Sequence, residues 1–379
     1  MKYIYQQYEK DKNFKIKHNY LSEQFNEIDD ILADISKVVE RNAFTFGEEI
    51  EIFENKFASK INSKFCISVS SGTMAITLAL KALDIGPGDE VIAPSFTFHA
   101  TIGAIAATGA RPVLADVSKD FNIDPKSIQT KISNKTRAII VVHWSGRICD
   151  MNEIKKLIKE DNISIIEDAC HAFMASADNE FAGNIGDFGC FSLHPLKNIN
   201  VWGDGGMIVT SDYNKYKKIQ LLRNHGLIDR DRMEMFGFNA RLDTIQAVVG
   251  NHFLSKIDNI IYRRIENAIY LDEKLKNIGE IKLPARSPNI KETFQLYVGL
   301  YEKRDLLLDF LQTKGIDAKI HYPIPMHLQK PLQKIGYKKG DFPESEYLAK
   351  NTLSLPVHEF VKKEDLDYMI KNIKKFYSR

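Results

Sequence analysis

At 379 residues the chain is too long for one compact core and too short for several, so two unequal domains, or one large α/β domain with an appendage, are expected. Its 44% hydrophobic and 27% charged residues exclude a disordered or fibrous chain and a small stapled module. The 52 basic and 50 acidic residues leave a formal charge of +2, too little for a global field that attracts nucleic acid or an anionic membrane, so no such partner is expected and any ligand must be sought in a local site.

The four cysteines, Cys66, Cys149, Cys170 and Cys190, are widely spaced and form no C-x-x-C pair. That argues against a disulfide framework or zinc knuckle and for reduced thiols in the cytoplasm. Residues 1–7 lack the apolar core of a signal peptide. Residues 1–40 read as an arm plus one amphipathic helix, with Phe25, Ile28, Ile31, Leu32, Ile35 and Val38 on a weak helical period. From Phe65 onward short apolar runs alternate with helical stretches: strand 65–69 and helix 73–83, strand 90–93 and helix 99–108, strands 113–115 and 138–143, helix 152–159, strand 164–166. The stretch 91–110 is broken by Pro94 and His99 and is a strand and helix, not a membrane span. Runs 188–192 and 206–210 add two more strands. This alternation predicts an open, mostly parallel sheet covered by helices over residues 41–255. Beyond Leu254 come a charged helix 257–276, a strand 294–300, a helix 304–314 stopped by Gly315, a strand-like 317–322 and a terminal helix 363–377. They predict a smaller second domain over 256–379.

The basic residues are unevenly distributed. Between 160 and 214 the only Lys or Arg is Lys197, within Phe191-Ser192-Leu193-His194-Pro195-Leu196-Lys197-Asn198-Ile199. An apolar strand-to-loop setting desolvates an ammonium and lowers its pKa, which suits a Schiff-base lysine; a lysine snorkelling out of the core gives the same pattern. Asp168 ends the run Ile163-Ser164-Ile165-Ile166-Glu167-Asp168, at the strand end where open α/β sheets bind ligands. Were Lys197 to form an imine with pyridoxal 5'-phosphate, Asp168 would hold the protonated pyridine nitrogen that makes the ring an electron sink. It would equally serve as a cap for the next helix. Ser70-Ser71-Gly72-Thr73 opens a helix, where amides and hydroxyls converge on an anion such as a phosphate, although Ser-Gly-Thr is also an ordinary N-cap.

Taken in order, Ser71-Gly72-Thr73, Pro94-Ser95-Phe96-Thr97-Phe98, Glu167-Asp168-Ala169, Ser192-Leu193-His194-Pro195-Leu196-Lys197-Asn198 and Gly203-Asp204-Gly205-Gly206 resemble the DegT/DnrJ/EryC1/StrS aminotransferases. The resemblance continues through Arg223-Asn224-His225-Gly226, Asn239-Ala240-Arg241-Leu242-Asp243 and His321-Tyr322-Pro323-Ile324-Pro325, and covers the chain from about Tyr20. It implies the type I aspartate aminotransferase fold of pyridoxal-phosphate enzymes, an α/β architecture with a large, mostly parallel-sheet domain and a smaller α/β C-terminal domain. It implies Lys197 and Asp168 as the catalytic pair, Phe98 stacked on the cofactor ring, and Gly72, Thr73 and Ser192 at the phosphate. Asn239 would come from the neighbouring subunit of a homodimer with shared active sites, and His171 would lie near the phenolic oxygen. The implied reaction takes an amino group from L-glutamate through pyridoxamine 5'-phosphate to a 3-keto or 4-keto nucleotide-linked deoxy sugar, for surface polysaccharide or glycoconjugate synthesis. Relatives with His in place of this lysine dehydrate instead; Lys197 favours amino transfer.

Where the family often has His-Leu-Tyr-Gly, this chain has His143-Trp144-Ser145-Gly146-Arg147, which brings an indole and a guanidinium toward the substrate side. Arg147 suits a phosphate or carboxylate, or is a solvated loop residue. His321 and Tyr322 line the pocket or pack the turn beside Pro323 and Pro325. Phe173-Met174 and Asn200-Val201-Trp202 also depart from the family's pattern. Two alternatives stand beside the sugar aminotransferase: an aminotransferase for a free ketose or ketocyclitol, and a non-catalytic pyridoxal-phosphate-binding regulator. No G-x-G-x-x-G follows the first strand, which disfavours a dinucleotide-binding protein.

Overall fold

The computed structural model describes residues 14–26, 28–158 and 162–378. The start of the arm expected over 1–40 and the last residue of the helix expected over 152–159 lie outside the described residues. The strands are β1 (Phe65–Val69), β2 (Glu90–Pro94), β3 (Arg111–Ala115), β4 (Thr136–Val142), β5 (Ser164–Asp168), β6 (Ser176–Ala177), β7 (Glu180–Phe181), β8 (Phe188–Ser192), β9 (Gly206–Thr210), β10 (Ile281–Lys282), β11 (Ile290–Lys291), β12 (Tyr297–Tyr301) and β13 (Thr352–Leu355).

Seven of them form one sheet in the order β1-β9-β8-β5-β4-β2-β3. The pairs β2–β3, β2–β4, β4–β5 and β5–β8 are parallel, and β9 lies antiparallel between β8 and β1. The mostly parallel sheet expected from the alternation is therefore present. Its central strands carry apolar runs, 138–142 in β4 and 165–166 in β5, because helices cover both faces. On one face lie the helices Glu48–Lys60 and Thr244–Leu275, through Phe53, Phe57, Val249 and Phe253. On the other lie Gly72–Ala82 and His99–Thr108, through Ile76, Leu80, Ile102 and Ile105. Neighbouring strand residues point to opposite faces, so Ile165 of β5 joins the first core and Ile166 the second.

The C-terminal region builds a second, three-stranded sheet, β10-β12-β13, packed against the helices Arg304–Thr313 and Lys363–Tyr377. The arm joins this region: Ile16 is 3% exposed and forms a parallel bridge with Ile316. The strand expected at 294 begins only at Tyr297, because residues 293–296 bond to other loops, Thr293 N donating to Gly146 O and Leu296 N to Ser145 O. Of the strand-like 317–322, a single bridge from Lys319 to Ser354 forms. The helix expected over 257–276 starts at Thr244, and the boundary drawn between 255 and 256 lies within this continuous helix.

The two helices of the first face touch at Gly250. A Cβ there would lie 2.4 Å from the Phe53 ring, which is wholly buried. In an open helix Gly→Ala would add about 1 kcal/mol of stability. Here overpacking decides the sign, and Gly250→Ala should lose about 1–3 kcal/mol. Urea denaturation checks this; a midpoint at or above that of the unaltered chain would show that Phe53 yields freely.

Candidate active site

The site is built where β1, β5 and β8 end, the edge at which open α/β sheets bind ligands. From β1 the chain turns into the helix Gly72–Ala82, and Ser71 Oγ accepts from Met74 N at 3.1 Å. Ser71 is thus the N-cap, while the first amides of the helix face outward at its positive end. A Cβ on Gly72 would lie 2.8 Å from Ser192 Cβ and 3.1 Å from Cys170 Sγ. The end of β8 presses on the helix start so closely that only glycine fits.

β5 ends in two adjacent acids with different surroundings. Glu167, wholly buried, accepts from the amides of Gly183 at 2.7 Å and Ile185 at 2.6 Å, and from Gly186 N. It also meets His143 Nε2 at 2.7 Å. Because His143 Nδ1 accepts from Cys149 N at 3.2 Å, its proton sits on Nε2 and is donated to Glu167. Asp168 faces the other way. It is 5% exposed, Thr101 Oγ1 donates to its Oδ2 at 2.8 Å, and Cys170 N donates to Oδ1 at 3.2 Å.

Asp168 lines a cavity of about 720 Å³, and Lys197 lines the same cavity. Burial lowers the pKa of the Lys197 amine, with Cys170 and Asp168 opposing the shift. His171 Nδ1 accepts from Ser145 N at 3.3 Å, and burial, followed by Lys197 and His321, holds its pKa well below the usual range. The ring is therefore neutral with its proton on Nε2. Burial also keeps the Tyr322 phenol protonated, and pushes His321 down to about 4, with its Nδ1 2.9 Å from Ser354 Oγ. Phe98, 52% exposed, also lines the cavity, its ring tilted against Tyr322 at 5.9 Å. Trp144 closes one wall, its ring stacked on Phe121 at 4.8 Å and 9°.

Gly72, Thr73 and Ser192 also line this cavity. Three expected site residues do not. His143 is held beneath the sheet edge by Glu167 and Cys149. Arg147 is occupied elsewhere: its NH1 lies 2.7 Å from both Glu292 Oε1 and Ala285 O, and its Nε is 3.3 Å from Asp120. The substrate contacts expected of these two are thus corrected, since buried carboxylates distant in sequence claim both side chains. Asn239 is exposed, bridged to Asn224 and away from the cavity of its own chain. Sequence reading missed Thr101, the arm residues His18 and Tyr20, and Gln295, all of which line the cavity. None of them stands in a local motif.

Pyridoxal phosphate fits these residues. A helix start too tight for a Cβ would take its phosphate, a buried carboxylate held by Thr101 would meet its ring nitrogen, and a desolvated primary amine would reach its carbonyl.

The profile of the DegT/DnrJ/EryC1/StrS aminotransferase family matches residues 26–374. A dTDP-3-amino-3,6-dideoxy-alpha-D-galactopyranose transaminase of Aneurinibacillus thermoaerophilus is 37% identical over 92% of this chain and 95% of its own. A pleiotropic regulatory protein of Geobacillus stearothermophilus is 35% identical over 94% and 97%. The crystal structure of S. venezuelae DesV in complex with a ketimine intermediate superposes with a TM-score of 0.92 at 33% identity, covering 95% of this chain and 97% of that one. With the profile spanning nearly the whole chain and the fold shared throughout, the protein belongs to the DegT/DnrJ/EryC1/StrS aminotransferase family.

Proposed function

We propose that the protein moves an amino group from L-glutamate to a keto carbon of a nucleotide-linked deoxy sugar, at C3, where the product named for the Aneurinibacillus relative carries its amine. The observation that carries this reading is a desolvated amine, Lys197, in the same cavity as the buried Asp168. Pyridoxal phosphate, when bound, supplies the electron sink for the pair released when the donor Cα loses its proton. Gly72, Thr73 and Ser192 would hold its phosphate and Phe98 would face its ring. Asp168 would keep a proton on the ring nitrogen, with Thr101 aiming the carboxylate. His171 would donate from Nε2 to the phenolic oxygen. Lys197, with more of its amine unprotonated at neutral pH than an exposed lysine, is the base that takes the Cα proton and later delivers one to the sugar carbon.

The site is proposed to be completed in a homodimer. Phe236 is 89% exposed, with Met233 at 55% and Phe46 at 47%, an apolar display beside Asn239 that solvent alone does not favour. Asn239 would then serve the partner's phosphate site. Among the described residues no helix is long and apolar enough to cross a membrane, and a cytoplasmic location is proposed. A regulatory reading rests on relatives' names alone, that of the Geobacillus protein among them.

Incubation of the loaded protein with L-glutamate and a panel of nucleotide-linked keto sugars and ketocyclitols, scored by mass, should give product only from the nucleotide sugars; a normal cofactor spectrum with no product from any acceptor would favour the regulator. Lys197→Ala should lose the visible cofactor band and its response to L-glutamate, with turnover down by roughly 10²–10⁴. An unchanged spectrum would sink the assignment. Asp168→Ala should keep its far-UV circular dichroism and lose most turnover, whereas near-normal rates would put the ring-nitrogen partner elsewhere.

A further inference from the structure

Residues 194–198 belong to neither helix nor strand, yet the peptide groups around Lys197 are all bonded. Lys197 N donates to His194 O at 2.8 Å. Lys197 O accepts from Asn200 Nδ2 at 2.9 Å and from Tyr20 of the arm at 3.2 Å. The two remaining groups go to one side chain. Gln295 Nε2 donates to Leu196 O at 2.7 Å, and Gln295 Oε1 accepts from Asn198 N at 2.9 Å. Its amide therefore bridges the two peptide groups that flank residue 197, as donor to one and acceptor from the other.

Gln295 is itself fixed. On its N-terminal side Thr293 N donates to Gly146 O at 3.1 Å, Thr293 O accepts from Asn198 Nδ2 at 3.0 Å, and Phe294 O accepts from Arg264 NH1 at 3.3 Å. On its C-terminal side Leu296 N donates to Ser145 O at 3.4 Å, and β12 follows directly. The clasp thus transmits the position of the second sheet and of the turn after β4 to the lysine backbone.

We propose that Gln295 is the positioning residue for Lys197, fixing the backbone from which the amine reaches the reacting carbon. This rests on the aminotransferase reading. A base must stand within hydrogen-bond reach of its proton, and displacement by about 1 Å costs on the order of a hundredfold in rate. Gln295 holds Lys197 through main-chain groups only, so its effect falls on the chemical step and on the amine's surroundings rather than on substrate affinity.

The test replaces Gln295 by Met, which keeps bulk and removes both bonds, and by Glu, which removes the donor to Leu196 O. In cofactor-free protein, labelling of Lys197 by an amine-acylating reagent, located by peptide mass, is followed against pH. In the unaltered chain its midpoint should lie below 10.5; in Gln295→Met it should move back toward that value as the amine escapes its desolvated setting. Hydrogen exchange at the Asn198 amide should quicken. In loaded protein, kcat for the glutamate half-reaction should fall about 10- to 100-fold with KM within about twofold. Should Gln295→Met fail to fold, the labelling midpoint and kcat of Gln295→Glu decide, and both should move the same way. A folded variant of either kind with the unaltered chain's midpoint and kcat overturns the proposal. An unaltered chain that never takes up pyridoxal phosphate sinks the functional reading instead, and labelling and exchange in the cofactor-free variants still judge Gln295.

Discussion

A carboxylate taken out of water must find donors, and around Glu167 this requirement organises the sheet edge. Three backbone amides of the loop between β7 and β8 and one imidazole of the segment after β4 converge on it. Removing any one would leave the buried carboxylate short of a donor, at a cost of roughly 1.5–3 kcal/mol. The acid therefore ties the ends of β4 and β5 to the entry of β8. Strand alternation does the rest: with Glu167 turned toward one core, Asp168 must turn toward the other, where Thr101 meets it. One dipeptide thus carries a structural acid on one side of the sheet and a cavity-lining acid on the other.

The same rule separates the residues whose roles could be read from the sequence from those that could not. Gly72, Thr73, Asp168, Ser192 and Lys197 stand in short segments at strand ends, where type and local order suffice to suggest a role, and all five reach one cavity. His143 and Arg147 carry equally suggestive side chains, but their partners Glu167 and Glu292 are 24 and 145 residues away, and only the folded chain shows that both are engaged. Thr101, Tyr20 and Gln295 were illegible for the converse reason, being ordinary residues given meaning by distant partners. The elements followed the same division. Apolar strands of the main sheet were evident because both their faces are buried, whereas 293–296, strand-like in composition, bonds to loops instead.

The shortage of basic residues between 160 and 214 also has a structural cause. β5, β8 and β9 are interior strands, wholly or nearly wholly buried, and a lysine or arginine cannot be placed there without a partner. The strands of this base-poor stretch form the middle of the sheet, and Lys197 stands out because it lies in the loop that follows β8.

The clasp on Lys197 draws on residues nearly a hundred positions further along the chain, and the arm contact on Tyr20, 177 positions earlier. During synthesis the lysine loop emerges well before Gln295 and the second sheet. Until they arrive, Leu196 O and Asn198 N lack the partner that Gln295 supplies. The large sheet can assemble on the ribosome as its strands appear, but the fully bonded backbone around Lys197 is a property of the finished chain. A polypeptide stalled before residue 295 would carry Lys197 in a loop without its clasp, and that loop would take its final form in the last stage of folding.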